Sequence, residues 1–276
     1  MRTFPWLTGL VCAVAVTVAT PAPVAAGTIG FRIDAEVTAG EEVRVKVTAT
    51  HTGDENATEV YPEVSLLDRK AEGEKLPTLA AGAKHVWELN IPGPPLPKGA
   101  YVVAIRLRYA DLNGYPFEAL STVQALVSAK AGSKVSGAFR IPKMSPDDKV
   151  VGTLALRRPP ARKSSTFEGS ILAPSGLEVS PERFPVMFDE AGNASVQLTI
   201  NNKKLLPGTS VNIFALITGN DDGLRQTDTI RGTVSVGAAV ARVSKVTFYG
   251  AAAALAGLWV LLEIAALLYD RTKGSR

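Results

Sequence analysis

Cysteine is almost missing from this chain. The single one, Cys12, lies in an N-terminal apolar run, and the sequence after the expected leader has none. Disulfides, thiolate metal sites and cysteine nucleophiles are excluded there, so stability has to come from packed cores. Histidine is scarce as well: His51 and His85 are the only two, and no HExxH, nucleophile elbow or paired metal spacing accompanies them. Aromatic residues make up 7% of the chain, and Trp87 is the one tryptophan away from the two hydrophobic ends. No helical period of useful length appears before Val246. These absences leave no catalytic residue, no metal and no cofactor to expect, and the chain reads as a non-enzyme.

What is present begins with the ends. Arg2 precedes an apolar run from Trp6 to Val18, then Pro21, Pro23 and Val24-Ala25-Ala26, the charged, apolar and small-residue order of a secretory signal. Residues 1–26 are expected to be a signal peptide cut before Gly27. Its apolar part is about 13 residues, short of the roughly 20 that span a bilayer. At the other end residues 246–269 are nearly all apolar, about 24 residues at 1.5 Å each against a core of roughly 30 Å. That run predicts a single-pass transmembrane helix, with Tyr249 and Tyr269 at the interfaces and a basic tail, 270–276, in the cytoplasm. Removing Arg2, Arg271, Lys273 and Arg276 from 30 basic residues, and Glu263 and Asp270 from 26 acidic ones, leaves 26 against 24, a net charge of +2. So small an excess argues against a nucleic-acid partner.

Between the ends the period is 2. Val43, Val45 and Val47 alternate with Arg44, Lys46 and Thr48; Tyr101, Val103, Ile105, Leu107 and Tyr109 alternate with residues that include Arg106 and Arg108. Half-buried antiparallel strands follow, and short runs separated by Gly, Pro, Asn and Asp clusters are what a sandwich of two sheets requires. The pattern also repeats. Displaced by 109 residues, Leu89 and Ile91 fall on Leu198 and Ile200, Gly99 on Gly208, and Asp111–Gly114 on Asn220–Gly223. The fold class expected is all-β, two tandem Ig-like β-sandwiches at 27–130 and 131–238, a linker at 239–245 and the C-terminal transmembrane helix.

The turns carry a resemblance. Thr50-His51-Thr52-Gly53-Asp54 follows the first strong strand, Leu79-Ala80-Ala81-Gly82 makes a later turn, and Lys98-Gly99-Ala100-Tyr101 opens a late strand. From Ala39 to Glu118 the chain resembles the Ig-like modules of bacterial exported proteins known as cell-adhesion-related domains. The second half matches from Glu190-Ala191-Gly192 onward, with Thr209-Ser210 in place of the Ala-Tyr pair. The resemblance implies the sandwich fold and an adhesive or scaffolding role.

Four groups of residues are candidates for contacts. Glu263 lies inside the C-terminal apolar run, six residues before Tyr269, about 9 Å deep in the expected helix. An acid there is a functional hypothesis by default. Ala252, Ala256 and Ala266 share its face, and Gly257 belongs to a small-residue stripe that suits close helix approach; another membrane protein, or a second copy, is the partner expected. Arg157, Arg158, Arg162 and Lys163 surround Pro159 and Pro160, a basic loop suited to an anionic polymer or lipid head group against the commoner reading of a solvated loop. Asn220-Asp221-Asp222 and Asp147-Asp148 offer oxygens to calcium, although turn geometry already explains the first.

The sequence thus leads to a bacterial cytoplasmic-membrane protein with its β modules in the periplasm or outside the cell. It is expected to be a non-catalytic scaffold or accessory subunit of a membrane or envelope complex. The alternative is an exported adhesin or receptor that binds a polysaccharide or other envelope polymer.

Overall fold

Every second side chain from Val43 to Val47 is branched and apolar, and the pleat of a strand sends such residues to one face. The computed structural model of the chain describes residues 28–128, 135–145, 148–159, 166–221, 224–237 and 255–265. The chain divides into two compact units, residues 1–131 and 132–276.

In the first unit the strands are β1 (Phe31–Ala39), β2 (Val43–His51), β3 (Ala57–Leu66), β4 (Arg69–Glu72), β5 (Leu76–Leu79), β6 (Lys84–Ile91), β7 (Gly99–Ala110) and β8 (Pro116–Val127). One antiparallel sheet has the order β1-β2-β6. In the other, β7 lies between β8 and β3, and β3 pairs along its far side with β5 and then β4. Val45, Val47, Trp87, Leu89, Ile105 and Leu107 share the core between them. Trp87 satisfies its buried indole by donating Nε1–H to the Glu74 carbonyl at 2.8 Å. The N-terminal segment is laced to the turn after β2: Thr52 N–H donates to Gly30 O at 2.8 Å and Asp54 N–H to Thr28 O at 2.9 Å. A Cβ on Gly53 would sit 2.0 Å from that Thr28 oxygen, so only glycine allows the approach.

The second unit holds β9 (Ser136–Arg140), β10 (Lys149–Arg157), β11 (Phe167–Leu172), β12 (Leu177–Ser180), β13 (Arg183–Val186), β14 (Asn193–Asn202), β15 (Ser210–Asp221) and β16 (Leu224–Ser235). Its sheets run β12-β14-β10-β9 and β13-β11-β15-β16. After β9 the chain crosses over: Met144 bridges Val236 in parallel, donating its N–H to Ser235 O at 3.1 Å and accepting from Gly237 N at 2.7 Å. The inward faces are Leu154, Leu156, Leu198, Ala215 and Ile217 at one end and Ile200, Ile213 and Val234 at the other. The repeat seen in the sequence is a repeat of position, because β6, β7 and β8 recur as β14, β15 and β16, with Gly99 opening β7 and Gly208 two residues ahead of β15.

Three phenylalanines in this unit lie over glycines of neighbouring strands. Phe184 stands opposite Gly169 and Phe167 opposite Gly219, and the Phe139 ring covers Gly232. The rings fill the space that a side chain would have taken and restore packing where glycine weakens a strand.

The all-β expectation agrees with this architecture, and the C-terminal transmembrane helix is corrected. The helix described covers residues 255–265, about 16 Å at 1.5 Å per residue against the roughly 30 Å of a bilayer core. No helix among the described residues is long and apolar enough to cross a membrane. Apolar composition over 246–269 fixes hydrophobicity but not helix length, which is where the expectation went too far; the rest of that run, the leader 1–26, the tail 270–276 and the linker 239–245 lie outside the described residues.

An alanine at Gly169 would place its Cβ 2.1 Å from the Phe184 ring. Gly169→Ala is expected to cost the second unit about 1–3 kcal/mol through overpacking, measured as a lower denaturation midpoint of the full chain. An unchanged midpoint would mean that Phe184 does not cover Gly169 as described.

Candidate functional site

The adjacent residues Arg157 and Arg158 go to opposite sides. Leu154 and Leu156 are buried, so alternation turns Arg157 outward, and the following residue turns back over the core edge. The Arg158 guanidinium lies 5.1 Å from the Phe167 ring centre and 4.8 Å from that of Phe188. The two rings meet edge to face at 5.3 Å. Its backbone N–H donates to Gly192 O at 2.8 Å, where Gly192 adopts φ +81° and a Cβ would press within 2.2 Å of Arg158 O. Arg158 is thus a cation–π clasp, an interaction of about 0.5–2 kcal/mol. Arg157 remains exposed, paired in register with Ser136 and Asn193. Beside it an open groove runs over Gly137, Ala155, Asp189, Asn193 and Ser195. Arg162 and Lys163 lie outside the described residues.

The groove belongs to the outward face of the β12-β14-β10-β9 sheet. Asn193, Ser195 and Gln197 of β14 are exposed there, as are Ser136 and Arg140 of β9. The face presents hydrogen-bond donors and acceptors on a rigid sheet, a composition suited to holding a polar surface.

In the first unit the outward face of the second sheet carries a chain of ion pairs. Lys70 on β4 meets Glu63 on β3 at 3.3 Å, Glu63 meets Arg108 on β7 at 3.0 Å, and Arg108 reaches Glu118 on β8 at 3.6 Å. Arg106 closes the series on Glu118. The carboxylate side chains are nearly covered, 10% exposed for Glu63 and 11% for Glu118. A hydrogen bond with Tyr61, and then the neighbouring negative charges, hold the Arg108 guanidinium above its ordinary value against the opposing effect of burial. Each carboxylate is matched by cations, an arrangement that fixes strands rather than one that leaves an acid or base poised for reaction. The sequence showed Arg106 and Arg108 turning outward but held no sign of Glu63 and Glu118, because cross-strand partners depend on register.

Both histidines pack against aromatic rings. His51 is 1% exposed, accepts the Gly53 N–H at Nδ1 over 3.1 Å, and packs edge-on to Phe31 at 4.9 Å. His85 lies 4.4 Å from Trp87. Asp54 beside them is held below the usual carboxylate range, first by the Thr28 amide and then by the Thr28 hydroxyl. Among the described residues no group of three or more His, Cys, Asp or Glu side chains is placed to hold a metal ion. Asp148 accepts a long 3.4 Å contact from Ser145 N, and Asp147 and Asp222 lie outside the described residues, as do Ala252 and Ala266. Glu263, Ala256 and Gly257 lie on the 255–265 helix, all exposed.

No family model matches the chain, and no curated protein matches it. Among solved structures it is similar to a transglutaminase of red sea bream, at 12% identity over 74% of this chain and 31% of that one, with a TM-score of 0.24. A protein of unknown function from Porphyromonas gingivalis matches at 15% identity, over 76% of this chain and 99% of that one, with a TM-score of 0.27. The YadV chaperone matches at 13% identity, over 73% and 98%, with a TM-score of 0.26. The chain spans about a third of the transglutaminase's length, and likenesses of this size carry no argument about activity.

Phe31, Tyr109 and Phe117 continue the aromatic contact from His51, with ring centres 4.7 Å and 5.7 Å apart. Burial pushes the Tyr109 hydroxyl up from 10.0 to about 12. Because the folded value is raised, the contribution is whole below about pH 10 and is lost as pH rises through about 12. Between pH 9 and 12 the wild type is expected to lose about 2–3 kcal/mol more stability than Tyr109→Phe, measured by urea unfolding. Equal losses would contradict the burial of that hydroxyl.

Proposed function

We propose that this chain is a non-catalytic interaction protein whose tandem β-sandwiches, exported from the cytoplasm, hold a partner on an outward sheet face. The observation that carries the reading is the polar face around Arg157, where exposed Asn193, Ser195 and Gln197 alternate with the inward Ala194, Val196 and Leu198. The core takes the inward residues, and the outward ones are free for recognition. The turn patterns that resemble cell-adhesion-related modules support an adhesive or scaffolding role, and the charged, apolar and small-residue order of 1–26 supports export. Attachment through a C-terminal membrane span forms no part of this reading.

The test is retention of envelope material from the source cells by the immobilised full chain, compared with a Gln197→Glu variant. The wild type is expected to hold a component unchanged over hours, and the variant to hold at least about fivefold less, the size of about 1 kcal/mol. Equal retention by both would remove the face from the account, and a time-dependent chemical change in the retained material would make the protein an enzyme.

A further inference from the structure

The outward face of the β12-β14-β10-β9 sheet has an unequal charge. Arg140, Lys149 and Arg157 are exposed on it, and none of them makes a salt bridge to another described residue. Its carboxylate, Glu178, is already occupied: Lys203 Nζ lies 3.0 Å away, Asn201 Nδ2 3.3 Å away, and these contacts, with Lys149 further off, hold the acid below its usual range. Asp189 at the rim accepts the Asn193 amide at 2.8 Å. Cations therefore exceed acids on the face.

Register spaces those cations. Arg157 stands beside Ser136 and Asn193, Ala155 beside Ala138 and Ser195, and Thr153 beside Arg140 and Gln197. With about 3.4 Å per residue and about 4.8 Å between strands, Arg140 and Arg157 are roughly 14 Å apart, and Lys149 is roughly 27 Å from Arg157 along β10. Neutral hydroxyl and amide groups fill the interval. Small residues at Ala138, Ala155 and Ser195 keep it low, and Gly137 borders the groove there.

This pattern discriminates among polymers. A nucleic acid strand presents a phosphate about every 3.4 Å, whereas the cations here are sparse. A protein interface would be anchored by Trp, Tyr or Met, and the large apolar residue this face exposes is Val151 alone. A chain of sugars offers hydroxyls for the amides and hydroxyls of the face, and where the sugars are uronic acids it adds spaced carboxylates for the arginines. We infer that this face binds an extended acidic polysaccharide, with Arg140 and Arg157 holding carboxylates and Asn193, Ser195 and Gln197 holding the sugars between. The inference rests on the non-catalytic binding reading above and names its ligand class.

The experiment is affinity electrophoresis of the full chain in gels containing polygalacturonate or neutral dextran. The comparison is between wild type, Arg140→Gln/Arg157→Gln, and a control that removes two exposed arginines of the first unit, Arg32→Gln/Arg44→Gln. Polygalacturonate is expected to retard the wild type and the control alike, with affinity for the first double variant reduced about five- to tenfold, as two exposed charge contacts allow. Retardation should weaken as salt rises from about 50 to about 500 mM, and dextran should have no effect. Equal retardation of the three proteins, equal retardation by dextran, or none by polygalacturonate would overturn the inference. Failure here beside retention of an envelope component by the wild type would leave the binding reading standing; shortening of the polymer, seen as new reducing ends, would overturn both.

Discussion

Val45, Val47 and Leu89 of one sheet share a core with Ile105 and Leu107 of the other, and Leu154, Leu156 and Leu198 do the same with Ala215 and Ile217 in the second unit. The single cysteine, Cys12, precedes the first strand, so no disulfide within the chain relieves these rows of their task. Each buried branched side chain contributes about 1.5–3 kcal/mol, and a one-residue slip of a strand would turn its whole set toward water. Register is therefore fixed by the inward positions. The outward positions then carry other things: the Lys70–Glu63–Arg108–Glu118–Arg106 series on one sheet and the polar face around Arg157 on another.

The strands with strict alternation were legible in the amino-acid sequence, because β2, β6, β10 and β14 each turn one face to the core and the other outward; β7 and β15 alternate in sequence as well but are covered on both faces over part of their length, at Val102, Ala104 and Phe214. The short ones were not. β4, β5, β12 and β13 have four residues each, too few for a period of two to declare itself. Pairings such as Phe184 over Gly169 were hidden as well, since they depend on which strand lies alongside. The apolar run near the C-terminus shows the reverse fault. Hydropathy alone extended a helix from Val246 to Tyr269, whereas the helix described is residues 255–265.

The basic stretch at the end of β10 teaches the same lesson at the scale of one residue. Composition grouped Arg157 with Arg158, yet the alternation that buries Leu154 and Leu156 already assigned them to opposite faces. Arg158 became a clasp on Phe167 and Phe188, and Arg157 alone joined the exposed groove. Arg140, its companion on the face, stands seventeen positions earlier in the chain, and only the pairing of β9 with β10 brings them onto one surface. A binding face built across strands is invisible to a search for local motifs.

Gln197 and Leu198 are neighbours on β14, the first exposed and the second fully buried. The central claim is that on the β12-β14-β10-β9 sheet the inward residues carry the stability, which frees the outward ones for recognition. Urea unfolding of the full chain with Gln197→Ala or Leu198→Ala tests it most directly. The account predicts a change within about 0.5 kcal/mol for the first and a loss of about 2–5 kcal/mol for the second; comparable losses for both would contradict it.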